Sequence, residues 1–295
     1  MFKGVYTALV TPFKNGKLDE PSLCDLIEWQ IDEGIHGLVI AGTTGEASTL
    51  TRAEYQRLLE LSIETAHGRV PVIAGTGSFS TAKTIETTQL AKDVGAAAAL
   101  VVTPYYNAPS QEGMRRHYEA LNQAVDFPII IYNVPGRTMV DMDVPTMAAL
   151  SRLENIVGVK DATNDLARPL AIRRFCSTNF TLLGGENSTF GAFLAQGGEG
   201  GILVTSNVTP KALRDMYDAW VARDITRFSE LNNLLFPLHE ALFYETSPAP
   251  VKYAVSALGK CQNELRLPLV EATRPARDAV DAAMMPIRVA GYIPR

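Results

Sequence analysis

Residues 156–163 read IVGVKDAT, an apolar run with a lysine and an aspartate set into its end. The apolar positions are consecutive rather than alternating, which is the pattern of a parallel strand covered on both faces. Runs of the same kind flank it: VYTALVTP at 5–12, GLVIAG at 37–42, PVIAGTG at 71–77, ALVVTPYY at 99–106 and PIIIYNVP at 128–135 before it, TLLGGEN at 181–187 and GILVTSN at 201–207 after it. Helical patterns fill the intervals. Eight such βα units predict an α/β protein built as a (β/α)8 TIM barrel, because a doubly wound sheet has fewer strands and a nucleotide loop after the first.

Local signals agree with that alternation. Thr51-x-x-Glu54 opens LTRAEYQRLLELSIE as a capping box, and Thr209-Pro210 sets an N-cap before a proline at the first helical position. Gly34, Gly68 and Gly95 stand where helices need a C-terminal glycine. Beyond Thr226 the strand-like runs cease, and FSELNNLLFPLHEALF, SPAPVKYAVSALG and the stretch after Val270 read as helices. The expected organisation is a catalytic barrel over residues 1–225 and a small C-terminal helical domain over 226–295.

With 295 residues, 46% of them hydrophobic, the chain can bury a large core. A net charge of −5 from interspersed acids and bases lacks the basic stripe of a nucleic-acid or membrane-surface binder, leaving small-molecule chemistry as the expected class. Cys24, Cys176 and Cys261 are odd in number and widely spaced, so they read as reduced thiols. His36, His67, His117 and His239 show no metal-ligand spacing, and no metal site is expected; His36 and His67 read as solvated charges near helix ends. The start, MFKGVYTALVTPF, meets Thr-Pro before a secretory apolar segment develops, and no run approaches a membrane span, so a cytoplasmic location is expected.

In barrels of this kind chemistry gathers at the C-terminal ends of the strands. Residues placed there are GTTGE at 42–46, Tyr105 and Tyr106, Tyr132 and Asn133, Arg137, Lys160 and Asp161, Glu186, and Ser206 with Asn207. A free lysine, with a pKa of about 10.4, is neutral in only about one molecule in a thousand near pH 7.5, and burial lowers that pKa by about three units or more. Two readings of Lys160 remain open on position alone: a neutral amine that attacks a ketone to form a Schiff base, or an ion pair with Asp161 or Glu186 closing the barrel mouth.

The glycines of GTTGE allow backbone N–H groups to turn toward one spot and Thr43 and Thr44 add hydroxyls, an arrangement suited to a carboxylate, although an unliganded turn has the same composition. GTGSFS and GGEGG lack phosphate-loop spacing. Tyr132 ends the strand next to that of Lys160, and a relay through Thr43 and Tyr106 would carry a proton without a charged group. Arg137, in VPGRT, offers a planar fork for a second carboxylate. Together these features suggest a small keto acid held as an imine.

GTTGE, VTPYYNAPSQEG, YNVPGRT and VGVKDAT, in that order, resemble the 4-hydroxy-tetrahydrodipicolinate synthase (dihydrodipicolinate synthase) family of class I pyruvate-dependent aldolases, and the likeness runs from FKGVYTALVTPF to ETSPAPVK and ELRLPL. The resemblance implies a lyase of lysine (diaminopimelate) biosynthesis that condenses pyruvate with L-aspartate 4-semialdehyde. It needs no cofactor beyond the covalent imine on Lys160. Tyr132, Thr43 and Tyr106 would form the proton relay; Thr44, the backbone at Ile202 and Gly185 would bind pyruvate, and Arg137 the semialdehyde carboxylate. The family also implies a homotetramer of two tight dimers, with Tyr106 reaching the neighbouring subunit's site.

Lysine and tyrosine at these places are common to the whole superfamily. An N-acetylneuraminate or 2-keto-3-deoxy-sugar-acid aldolase is therefore the alternative, and Arg137 favours the synthase. A non-catalytic keto-acid sensor on the same barrel is disfavoured by the joint presence of Lys160, Tyr132, Thr43 and Tyr106. Two departures stand out. Asp161 replaces the family's usual glutamate, and Phe79 and Lys83, with Arg52 and Tyr55, replace the asparagine, glutamate and histidines of lysine-inhibited members. A cation at Lys83 would repel lysine, so weak or absent feedback inhibition is expected.

Overall fold

The computed structural model describes residues 2–294. Its principal strands are β1 (Gly4–Ala8), β2 (Gly37–Ile40), β3 (Val72–Gly75), β4 (Ala98–Val102), β5 (Ile129–Asn133), β6 (Ile156–Asp161), β7 (Thr181–Gly184) and β8 (Gly200–Leu203). They form one closed barrel in which each strand neighbours the next in sequence and β8 meets β1. The eight apolar runs are therefore the eight barrel strands, and helices follow them. Phe13–Lys14 and Lys17–Leu18 add a small antiparallel hairpin, which strand patterning did not reveal because each arm has only two residues.

Consecutive burial explains the consecutive apolar residues. Every residue of β1, β2, β5, β7 and β8 is buried. Where strands approach too closely for a side chain the sequence has glycine: a Cβ at Gly158 would stand 2.5 Å from the Thr181 carbonyl oxygen, and one at Gly37 would stand 2.2 Å from the Tyr6 ring.

The chain divides into two compact units. One comprises residues 2–4 with Ile73–Ile202 and carries β3 to β7. The other comprises Val5–Val72 and the chain from Leu203 onward. It contains the helices Ile225–Ala241, Ala249–Ala257 and Arg274–Val289, which match the three helical runs read beyond Thr226.

The helix ends expected from the sequence form with two differences, at Gly68 and at Thr209. The Thr51 capping box is complete, with Thr51 Oγ1 accepting from the Glu54 N–H at 3.2 Å and Glu54 Oε2 accepting from the Thr51 N–H at 2.9 Å. Gly95 caps its helix at φ +99°, whereas His67 itself takes the left-handed position ahead of Gly68. Thr209 precedes Pro210 as expected, but its side chain caps nothing and its hydroxyl is buried without a partner. His36 is not a solvated charge: Nδ1 accepts from the Val5 N–H at 3.2 Å, and burial lowers its pKa. No helix among the described residues is long and apolar enough to cross a membrane, and no group of three or more His, Cys, Asp or Glu among them is arranged to hold a metal ion.

Candidate active site

Lys160 is the penultimate residue of β6 and is only 6% exposed. Tyr132 on β5 and Leu183 on β7 lie abreast of it. Side chains abreast on neighbouring strands share a face, and successive residues alternate faces, so Lys160 and Tyr132 point together while Asp161 points away. The Lys160 amine stands over the Tyr132 ring, 4.2 Å from its centroid. Gly185 follows β7 and donates its N–H to the Asp161 carbonyl at 2.7 Å. A Cβ at Gly185 would stand 3.1 Å from Lys160 Cε and 2.7 Å from Ala162 Cβ, so the absence of a side chain there is what admits the lysine stem.

Its surroundings shift the amine toward the neutral form. Burial is the strongest influence on Lys160 and brings its pKa down to about 8; the Arg137 charge acts in the same direction, and the Glu186 carboxylate opposes both. Glu186 is itself held above its ordinary range by burial, with Lys160 and Arg137 pulling it back. Arg137 lies on the short helix Pro135–Thr138 immediately after β5, with its side chain exposed. An amine of lowered pKa, a carboxyl of raised pKa and a guanidinium thus gather around the ends of β5, β6 and β7.

The alternative pairing of Lys160 with Asp161 is contradicted, and strand alternation is the reason. Asp161 Oδ1 accepts from the Thr163 N–H at 2.9 Å and from Thr163 Oγ1 at 2.6 Å. Asp161 Oδ2 lies 2.8 Å from Arg168 Nε, an ion pair whose N–H is not aligned for a hydrogen bond. Arg168 also donates to the Met142 carbonyl and, at 3.3 Å, to Asp141 Oδ2. Asn133 closes the group by donating to Asp141 Oδ1 at 2.7 Å and accepting from the Met142 N–H at 3.0 Å. This network, buried at Asn133, Asp161 and Arg168 and reaching the surface at Asp141, braces the ends of β5 and β6 from the side opposite Lys160. Arg168 was not singled out in the sequence, since an arginine at the start of a helix carries no local mark of its partner.

The remaining candidates are placed as follows. Ile202 lies in β8 and is fully buried. Tyr106 sits in the turn after β4 at φ +71°, 92% exposed, and so is not packed against Lys160 or Tyr132. Thr43 and Thr44 occupy the turn after β2, Thr43 exposed and Thr44 buried. Two amides of GTTGE hold the turn itself, Gly45 N donating to the Gly42 carbonyl at 3.1 Å and Glu46 N to the Thr43 carbonyl at 3.1 Å; Ala47 N, just beyond, donates to the Gly42 carbonyl at 3.3 Å. A carboxylate-binding part of this motif therefore falls to Thr43 and Thr44. Glu46 is turned into the interior, against Lys252.

A model of the dihydrodipicolinate synthetase family matches residues 1–286. The 4-hydroxy-tetrahydrodipicolinate synthase of Rhodospirillum centenum is 56% identical over 285 residues, 97% of this chain and 98% of its own. Among solved structures, the chloride-inhibited dihydrodipicolinate synthase of Acinetobacter baumannii complexed with pyruvate superposes with a TM-score of 0.95 at 42% identity, covering 99% of this chain and all of its own. The dihydrodipicolinate synthase of Aquifex aeolicus superposes with a TM-score of 0.95 at 39% identity over the full length of both chains. By sequence and by fold, this chain belongs to the dihydrodipicolinate synthetase family.

Proposed function

We propose that this chain is a lyase that condenses pyruvate with L-aspartate 4-semialdehyde to 4-hydroxy-tetrahydrodipicolinate, in the diaminopimelate route to lysine. The observation that carries the reading is the buried Lys160, its pKa brought down to about 8, abreast of Tyr132. The synthase name borne by the Rhodospirillum centenum relative supports the synthase over a sugar-acid aldolase.

The neutral Lys160 amine adds to C2 of pyruvate, and the carbinolamine hydroxyl takes up a proton and departs as water, leaving a protonated imine. That cation draws electrons from C3, a C3 proton departs, and the enamine forms. Its C3 attacks the aldehyde carbon of the semialdehyde, making the new C–C bond and an alkoxide that takes up a proton. The substrate amine then adds to C2, the ring closes, and the bond to Lys160 breaks to return the free amine. Lys160 supplies the electron sink, so the reading calls for no cofactor.

Tyr132, Thr43 and Tyr106 relay protons in these steps. Thr44, the backbone at Ile202 and Gly185 bind the pyruvyl group, and Arg137 binds the semialdehyde carboxylate through its guanidinium fork. The exposure of Tyr106 supports a role across a subunit boundary in a homotetramer. Residues 226–295 serve as a helical appendage to the barrel, and the enzyme works in the cytoplasm. Turnover compared on aspartate semialdehyde with pyruvate, on N-acetylneuraminate and on 2-keto-3-deoxygluconate tests the reading: the first reaction alone should proceed at an enzymatic rate, and preferential cleavage of either sugar acid would overturn it.

A further inference from the structure

Glu46 closes GTTGE and is 1% exposed; Lys252, on the helix Ala249–Ala257, is fully buried. The Lys252 ammonium donates to Glu46 Oε1. Glu46 Oε2 accepts the Arg266 backbone N–H at 3.0 Å. The Lys252 ammonium and the Arg266 guanidinium lie 4.4 and 4.2 Å from the centroid of the Phe13 ring. Arg266 continues outward to Glu54, to the Thr49 carbonyl at 3.1 Å and to the Gly16 carbonyl at 2.7 Å. A carboxylate from the loop after β2 is thereby clamped by two parts of the C-terminal segment.

Stability alone is a poor reason for such a pair, because desolvating two charges costs about several kcal/mol per ion and apolar replacements are often as stable. The backbone supplies another reason. Ala41 and Glu46, the residues bounding Gly42–Gly45, both adopt left-handed φ, +53° and +54°. For a residue with a Cβ that conformation costs about 1–2 kcal/mol, and neither position uses the glycine that would avoid the cost. Between them Thr11 Oγ1 donates to the Gly45 carbonyl at 2.7 Å, and a Cβ at Gly45 would stand 3.1 Å from the Leu9 carbonyl oxygen. The turn carrying Thr43 and Thr44 thus has its far end anchored through the Glu46 side chain.

We infer that the Glu46–Lys252 pair is a positioning device that holds Thr44 in place for the keto-acid carboxylate, so that the helix Ala249–Ala257 takes part in pyruvate capture. The inference rests on the reading of Thr44 given above. Glu46 and Lys252 are positioning residues: their charged ends are used on each other and on the Arg266 backbone. Loosening the clamp should weaken the binding of pyruvate more than that of the semialdehyde, since the turn holds the former.

The test is the steady-state kinetics of Glu46→Gln and of the double variant Glu46→Gln with Lys252→Met, alongside their melting temperatures. The double variant leaves no charge unpaired and should keep a melting temperature near that of the wild type. Its KM for pyruvate should rise about tenfold or more, while its KM for the semialdehyde stays within about twofold. If the double variant does not fold, Glu46→Gln, which preserves shape and an acceptor oxygen, carries the same comparison. Unchanged pyruvate KM, or equal increases for both substrates, overturns the inference. Borohydride trapping of pyruvate on the wild type separates this from the functional reading: normal trapping with unaltered pyruvate KM in the variants refutes the positioning role alone, and failure of the wild type to trap pyruvate refutes the reading on which that role rests.

Discussion

Replacing Glu186 by glutamine isolates the electrostatic part of the setting of Lys160. With a pKa of about 8, Lys160 is neutral in about one molecule in ten near pH 7. An amine at its ordinary 10.5 would be neutral in about three in ten thousand there, so burial enlarges the reactive population about 300-fold. Of the neighbouring charges, Glu186 favours the ammonium and Arg137 opposes it. Removing the Glu186 charge should therefore lower the pKa further. The assay is the rate of imine formation at limiting pyruvate, quenched with borohydride across the pH range, which reports the free enzyme. The wild-type rate should climb about tenfold per pH unit below about 8 and level off above it. In Glu186→Gln the rising limb should move to lower pH, giving faster imine formation near pH 7. A wild-type midpoint close to that of a free lysine, or an upward shift in the variant, would refute the account of Lys160.

Three further outcomes are expected. Gly185→Ala places a methyl 3.1 Å from Lys160 Cε and 2.7 Å from Ala162 Cβ, so thermal unfolding should show a loss of about 1–3 kcal/mol and pyruvate trapping should slow at least tenfold; a variant equal to the wild type in both would show that the stem has room to spare. Burial takes His117 and His239 down to about 4 from 6.5, and in each the Nε2 has no partner. Both are neutral in the fold, so their contribution is complete above about 6.5 and is lost as pH falls toward 4, by at most about 3 kcal/mol each. The melting temperature should drop across that window, less steeply in His117→Gln and His239→Gln; equal slopes in all three proteins would contradict the assignment. Lysine at sub-millimolar concentration should leave turnover unchanged, because the cation of exposed Lys83, in the first turn of the helix Thr81–Val94, would repel it; an inhibition curve saturating below about 1 mM would refute this.

The barrel was legible because a parallel strand buried on both faces must be apolar at consecutive positions, and IIIYN and IVGVKD carry that constraint within a few residues. The Thr51 capping box was legible for the same reason: its partners lie three residues apart. Contacts between distant segments were not. Glu46 meets Lys252 across 206 positions, and neither residue type announces burial. Asp161 was available as a partner for Lys160 until strand alternation turned it toward Arg168. Nor was it legible that the Gly45 and Glu46 amides close the turn, because their direction depends on positive φ at Ala41 and Glu46, residues that ordinarily avoid it.

Everything proposed for this site depends on the Lys160 amine forming an imine with pyruvate. Incubation with pyruvate, reduction with borohydride and peptide mass analysis test it directly. One reduced pyruvyl adduct is expected, on the peptide containing IVGVKDAT and located at Lys160. An unmodified Lys160, or an adduct on any other lysine, would contradict it.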